Sequence, residues 1–485
     1  MTTAGARLNE CAADLGKVLA AVGYSASGLS GGRIAPNSLD AVVLARRLGD
    51  GPLATLVYLF LAGLAVPSAD AANALRPLAL DDLVAAGLLT SSDHQVRATI
   101  CIAWSDDMLV AHDWQDGRPT DREHVVAVAQ ASMTLADLTV RRPDVDVLDV
   151  GTGGGVQAFQ AAGHAATVLG TDVNTRALRL AEFGAALNGL PNVSWREGSL
   201  LEPVGDQSFD LITVNPPFII SPDNTYLWRD AGQAARKPGS LGQQLVHDIV
   251  PRLRPGGWAT MLASWPHPEG GDWVAPVRAW FAGSGCDAWV LRFATHDPIE
   301  HAETWLVQSV RATADFATAL DRWLAFYRDQ GIEALTTGAI IMQRNDTGGG
   351  HLWTDDMPGS PTGSASEQIQ RVFAHRRRLA QLADDDLLDA VLTPLAGSRL
   401  DQTLARGAGG YEPAPTQLWT LPGLSVCATV TPVALPVVLE LDGQRPLRDL
   451  IAAAADATGF DADQVRTDAL TAATRLIELG LVDWN

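Results

Sequence analysis

Two short stretches carry the residue types that could do chemistry. The first runs from Asp146 to Gly155 (DVLDVGTGGG), an apolar run that ends in a glycine cluster. Gly151, Gly153 and Gly155 stand before a helical stretch, Val156 to Ala162. Glycine there permits a tight turn and lets a ligand touch the backbone. The dinucleotide fingerprint G-x-G-x-x-G/A would need Gly or Ala where Val156 stands, so the pattern that fits is Asp149-x-Gly151-x-Gly153-x-Gly155. Asp172 follows about 20 residues on, at the end of the next apolar run, where a carboxylate can accept both hydroxyls of a ribose. These residues point to a nucleoside cofactor. A glycine-rich turn without a ligand is the plainer alternative.

The second stretch is Asn215-Pro216-Pro217-Phe218, which closes the run Leu211 to Val214. The Asn215 side-chain oxygen and the Pro216 carbonyl can each accept a hydrogen bond from one NH2 group. Two prolines hold those acceptors rigid, because their φ angles are fixed. Phe218 offers a flat face for a planar amide or nucleobase. Such a turn holds a planar, poorly nucleophilic nitrogen in line with an electrophile. A simple Pro-Pro turn is the alternative. If both stretches end parallel strands of one sheet, they face the same crevice.

The elements that must position them are legible around residues 126–345. Strand-like runs occur at Val145–Val150, Ala166–Thr171, Val193–Glu197, Phe209–Val214, Trp258–Ala263, Ala288–Phe293 and Gly338–Gln343. Helical segments separate the first five, the pattern of a doubly wound parallel sheet. Leu241–Leu253 reads as a helix stopped by Pro255-Gly256-Gly257, and Arg311–Gln330 as the last long helix. Residues 346–366, rich in Gly, Ser, Thr, Pro and Asp, read as a linker.

Residues 1–125 read as a smaller α+β domain with a winged-helix outline. Helices are expected at Ser38–Leu48, Leu53–Leu64 and Leu80–Leu89, and a strand pair, Val96–Trp104 with Met108–Trp114, around Ser105-Asp106-Asp107. Packing or dimerisation is the first reading of this domain and substrate docking the second, because it shows no basic stripe. Residues 367–485 give a second winged-helix-like outline. Its expected elements are a helix over Ser366–Leu395, a strand at Leu435–Leu441, and helices at Leu447–Ala457 and Asp463–Leu479. His375-Arg376-Arg377-Arg378 on the first of these helices reads as a solvated face before it reads as a nucleic-acid contact.

Composition narrows the function classes. A 485-residue chain suits two to four domains, and 47% hydrophobic with 19% charged residues describes a globular protein. The net charge of -21 argues against a broad grip on nucleic acid, though not against a local basic groove. Cys11, Cys101, Cys286 and Cys427 are scattered, so neither a disulfide framework nor a cysteine metal site is expected, and a cytoplasmic location is the simplest home. Leu53–Val66 is too short and too closely bounded by prolines to span a membrane. His247, His267, His296 and His301 lack metal-ligand spacing; His296-Asp297 is the one pair worth checking.

Taken together, Asp149 to Gly155, Asp172, Glu197-Gly198-Ser199, Asn215 to Phe218 and the Pro-Gly-Gly before the fifth strand resemble the class I S-adenosylmethionine-dependent methyltransferases. The similarity is to their amino-methylating branch, marked by Asn/Asp-Pro-Pro-aromatic. Leu187-Asn188-Gly189-Leu190 is similar to the ribosomal-RNA guanine-N2 and protein glutamine subgroups. The flanking domains resemble an actinobacterial group of methyltransferases. The resemblance covers residues 126–345. It implies a Rossmann-like seven-stranded α/β sheet whose last strand inserts antiparallel beside the fifth.

The resemblance also implies site roles. S-adenosyl-L-methionine would lie against Asp149, Gly151, Thr152, Gly153 and Gly155. Asp172 would hold its ribose and Ser199 would lie at its adenine edge, with Val173, Leu200 and Asn215 as further cofactor-binding residues. Asn215, Pro216, Pro217 and Phe218 would hold the target nitrogen during direct in-line transfer of a methyl group, without a dedicated base. Tyr226, Trp228 and Arg229, on the polar loop that follows, are candidate substrate contacts; Arg229, Arg236 and Lys237 either meet phosphates or balance local acids. The first expected target is RNA or a ribosome-associated component, then a protein glutamine or small molecule, and then a non-enzymatic scaffold. Neither metal nor membrane is expected.

Overall fold

A computed structural model describes residues 3–29, 38–114, 123–222, 239–309, 313–345, 350–382, 386–407 and 409–484. The chain divides into two compact units, one comprising Met1–Ala136, Arg141–Val290 and Ala294–Thr354, the other Asp137–Val140, Leu291–Phe293 and Asp355–Asn485.

Among the described residues the main sheet has eight strands, and nearly all of their residues fall in the first unit, with Leu291–Phe293 and Asp355–Asp356 counted in the second. The strands are β1 (Asp146–Val150), β2 (Thr167–Asp172), β3 (Val193–Glu197), β4 (Phe209–Val214), β5 (Leu253–His267), β6 (Cys286–His296), β7 (Ala334–Arg344) and β8 (Leu352–Asp356). Their order is β8-β6-β7-β5-β4-β1-β2-β3. Neighbours among β1 to β5 are parallel. Val147, Leu148 and Val150 are buried, as are Leu211, Ile212 and Val214. Continuous apolar runs of this kind suit central strands covered on both faces.

Among the described residues the helices of this layer are α1 (Gln130–Leu138), α2 (Val156–Ala162), α3 (Thr175–Leu187), α4 (Ser240–Ile249), α5 (Ala275–Trp280), α6 (Pro298–Ser309) and α7 (Thr313–Asp329). The helix expected to reach Leu253 ends as α4, and a short 3₁₀ turn, Val250–Arg252, follows around Pro251, which has no N–H to continue the ladder. β7 pairs antiparallel with β5 from Trp258↔Gln343 to His267↔Ala334, as the resemblance implies. The sheet has eight strands, however, where seven were expected. β8 lies inside the glycine- and proline-rich stretch expected to be a linker. It enters the sheet because Ala288 N–H donates to His351 O at 2.8 Å, and buried Asp287 accepts from His351 N at 2.9 Å.

The N-terminal segment belongs to the same unit. A three-stranded sheet, ordered Val66–Pro67, Gln95–Ala98, Leu89–Ser92, stands beside helices Pro52–Phe60, Ser68–Ala74 and Leu80–Ala85. The expected single strand at 96–104 is two. Gln95–Ala98 pairs with Leu89–Ser92, whereas Cys101–Ser105 forms a hairpin with Met108–His112, turning at Asp106 with φ 50°. Thr99 marks the break, its hydroxyl donating to the Gly87 carbonyl at 2.7 Å. Leu15, Leu19, Leu56, Phe60 and Ile102 share one buried cluster with Phe183 and Leu187 of α3.

In the second unit, Ser366–Leu379 is helical, but the expected extension to Leu395 is replaced by a 3₁₀ turn at Asp386–Asp389 and a short strand at Leu392–Pro394. Leu435–Leu439 is a helix, not the strand its β-branched residues suggested. Pro436 fits the first helical turn, Thr431 Oγ1 accepts the Ala434 N–H at 3.2 Å, and the helix buries Val437 and Val438. Arg376 is buried against Asp355 at 2.5 Å, Arg378 lies over the Trp484 ring at 3.9 Å, and Arg377 lies over Phe373. His375 and Arg376 are therefore spent on internal contacts, whereas Arg377 is half-buried and Arg378 is exposed, so only part of the run is the solvated face expected from the sequence.

Candidate active site

Because β1 and β4 pair in register, Asp149 opposite Thr213 and Val150 opposite Val214, the turns that follow them begin at the same level. Gly151, Gly153 and Gly155 have φ of 69°, 54° and 91°, left-handed values that glycine adopts without strain. A Cβ on Gly155 would come within 2.5 Å of the Phe159 ring. The spacing read from the sequence is thus required by backbone and packing together.

Asp149 is buried below this turn. Thr152 Oγ1 donates to its Oδ2 at 2.6 Å and Thr213 Oγ1 to its Oδ1 at 3.0 Å. Burial outweighs these bonds and pushes its pKa up to about 6. Asp172 accepts the Gly153 N–H at 2.8 Å and the Asn174 N–H at 2.8 Å, and burial raises its pKa as well. Its carboxylate keeps further lone pairs for a ligand. The neighbouring Val173 is 58% exposed, an apolar surface open to a flat group. Gly198 N–H donates to the Asp172 carbonyl at 3.0 Å, bringing the turn with Ser199 and Leu200 alongside. Ser199 is exposed, and Leu200 has φ 47°.

At the turn after β4, Asn215 Nδ2 donates to Ser132 Oγ at 3.3 Å, and the Ser132 carbonyl accepts Gln157 Nε2 at 2.6 Å. Pro216 is buried, while Asn215, Pro217 and Phe218 are half-buried. Phe218 meets Trp305 edge-on, with centroids 6.3 Å apart. A small pocket opens beside it, lined by Pro216, Phe218, Ile220, Leu241, Leu262 and Ser264 among others. Tyr226, Trp228, Arg229, Arg236 and Lys237 lie outside the described residues.

His296 and Asp297 do not act as a pair. His296 Nδ1 stands 3.6 Å from Glu300, and Asp297 Oδ1 accepts the N–H groups of Ile299 and Glu300 at the start of α6. Ser132, Thr213, Trp305 and Tyr327 escaped sequence reading, since each meets the site through residues far away in the chain. Among the described residues no group of three His, Cys, Asp or Glu side chains is arranged to hold a metal.

Residues 127–261 match the methyltransferase small domain, and residues 23–99 match a domain of unknown function (DUF7059). A "putative protein N5-glutamine methyltransferase" of Methanocaldococcus jannaschii is 30% identical over 143 residues, which are 28% of this chain and 70% of that protein. The chain belongs to the class I S-adenosylmethionine-dependent methyltransferases.

Release factor glutamine methyltransferases of Geobacter sulfurreducens and Xylella fastidiosa strain Temecula1 are 40% and 34% identical over 122 and 147 residues. These matches take in 23% and 28% of this chain, and 43% and 52% of the relatives. The chain thus spans about half the length of these relatives. Among solved structures, a ribosomal protein L11 methylase from Lactobacillus delbrueckii aligns with 44% of this chain and 77% of its own, at 20% identity and a TM-score of 0.25. S-adenosylmethionine is the cofactor of this methyltransferase domain, and the glycine turn, the two buried carboxylates and exposed Val173 fit such a ligand.

Proposed function

We propose that the protein is an N-methyltransferase acting on a planar amide or amino nitrogen held at Asn215–Phe218, and that this nitrogen is the side-chain amide of a protein glutamine. The observation that carries the reading is the shared register of β1 and β4, tied across by Thr213 and Asp149. It brings the two turns to one level, which supports reading them as a cofactor turn and a nitrogen-accepting turn side by side. Bound S-adenosylmethionine supplies an electrophilic methyl group on a positively charged sulfur. Asp149, Gly151, Thr152, Gly153, Gly155, Asp172, Val173, Ser199 and Leu200 hold it.

The chain itself contributes position and charge. Asn215 Nδ2 is engaged by Ser132, which leaves Oδ1 to accept one N–H of the target while the Pro216 carbonyl accepts the other. Those two acceptors draw electron density onto the nitrogen and fix its orientation, so most of the acceleration comes from alignment and electrostatics. Phe218 and Pro216 cover the amide plane. As the nitrogen is alkylated its proton becomes acidic and leaves without a dedicated base.

The glutamine assignment is supported by what the relatives are named for, with release factors pointing to a ribosome-associated protein target. It is also supported by the net charge of -21 and the inward-turned Arg376. RNA therefore ranks second. We read the N-terminal module as winged-helix-like, supported by its helix-strand-helix-helix-strand-strand order with the outer strand paired to the last. Exposed Asp81 and Asp82 on its third helix suit packing better than nucleic-acid contact. Residues 367–485 are proposed as a second such module.

The test is transfer of a tritiated methyl group into RNA, protein and metabolite fractions of a strain lacking the gene. Label in protein, recovered as methylglutamine, is expected. Label confined to RNA would overturn the glutamine assignment, and label in no fraction would overturn the activity.

A further inference from the structure

Between β6 and β7 the chain inserts the helical hairpin α6–α7, and the segment leaving the acceptor turn runs into its core. Ile219 and Ile220 are buried there with Ala302, Leu306, Trp323 and Leu335. Trp305 and Tyr327 of this hairpin reach the turn and the residues that follow it. Trp305 packs edge-on against Phe218, and Tyr327 Oη donates to the Ile220 carbonyl at 2.9 Å. With that proton committed, the 2.8 Å contact between His301 Nδ1 and the same Tyr327 oxygen needs the proton on Nδ1. His301 is then the neutral Nδ1–H tautomer, and burial holds it neutral, with a pKa drawn down to about 3.

The prolines set the backbone at 216 and 217 but not the direction in which the chain leaves. That direction decides where the Phe218 ring stands and whether Phe218 and Ile220 wall the pocket beside Pro216. We infer that Tyr327, oriented by His301, is a positioning residue that fixes the exit of the acceptor turn and thereby the alignment of the target nitrogen. This rests on the reading of Asn215–Phe218 as the nitrogen-holding turn. Tyr327 touches neither the nitrogen nor the cofactor; it acts through the Ile220 carbonyl.

Tyr327→Phe keeps the ring and removes only the hydroxyl. Hydrogen exchange at the amides of Phe218 to Ser221, read by mass spectrometry on the full chain, should quicken by about fivefold, the effect of one lost hydrogen bond. Calorimetric affinity for S-adenosylmethionine should match wild type. The kcat for tritiated-methyl transfer into the protein fraction should fall on the order of ten- to hundredfold, with KM much less affected. His301→Ala should resemble Tyr327→Phe, and His301→Gln, whose amide N–H can still donate to the tyrosine oxygen, should recover much of the loss. Unchanged exchange at 218–221, or quickened exchange with wild-type kcat, would overturn the inference. Should the wild-type protein label no fraction, the methyl-transfer reading fails by itself, while the exchange comparison still decides whether Tyr327 holds the turn.

Discussion

At the scale of single residues, Asp149 ties the two proposed halves of the site together, accepting from Thr152 on the glycine turn and from Thr213 on the strand that ends before Asn215. Its pKa is raised to about 6, so its contribution to stability is present below the ordinary carboxylate range and is lost as pH rises through about 6. A cation bound over the glycine turn acts in the opposite sense, because it favours the ionised carboxylate. Affinity for S-adenosylmethionine should therefore rise between pH 5 and 7, by up to about tenfold. Calorimetry should find this rise flattened in Asp149→Asn, and smaller for S-adenosylhomocysteine, which lacks the sulfonium charge; a pH-independent wild-type affinity would contradict the link. The two turns were legible in the sequence because each cluster is local, glycines or prolines following an apolar run. Ser132, which bonds Asn215 from a helix 83 residues earlier, carries no local signal.

At the scale of elements, the parallel strands were legible because buried runs such as Val147–Val150 and Leu211–Val214 are continuous and end in turn residues. Two of the misses share a cause, a local preference overruled by packing. Leu435–Leu439 holds two valines yet forms a helix, since Pro436 begins a turn and a buried face waits for Val437 and Val438. Leu352–Asp356 pairs into the sheet although its neighbours are glycines and prolines. Gly155 shows a local rule and packing in agreement: φ of 91° and the Phe159 ring both exclude a side chain. Gly155→Ala should lower stability by about 2 kcal/mol or more and impair cofactor binding. Urea unfolding and calorimetry would check both effects, and a wild-type midpoint with wild-type affinity would contradict them.

At the scale of the whole molecule, the N-terminal segment and the methyltransferase sheet share one buried cluster through α3. Phe183 is fully buried where helices from the N-terminal segment meet α3. Phe183→Ala should cost about 3–5 kcal/mol and loosen both parts in one transition, measured by circular dichroism and by exchange in residues 101–112. In the second unit the buried Asp355 carboxylate pairs with Arg376 and Arg475. Asp355→Ala would strand a buried guanidinium and should cost about 3–5 kcal/mol, read as a lower unfolding midpoint.

The central claim is that a cofactor turn and a nitrogen-holding turn form one methyl-transfer site. Its most direct test is Asn215→Ala, with S-adenosylmethionine affinity and tritiated-methyl transfer measured on the same preparation. Wild-type affinity with transfer reduced about a hundredfold or more is the predicted result. Full transfer by Asn215→Ala would contradict it.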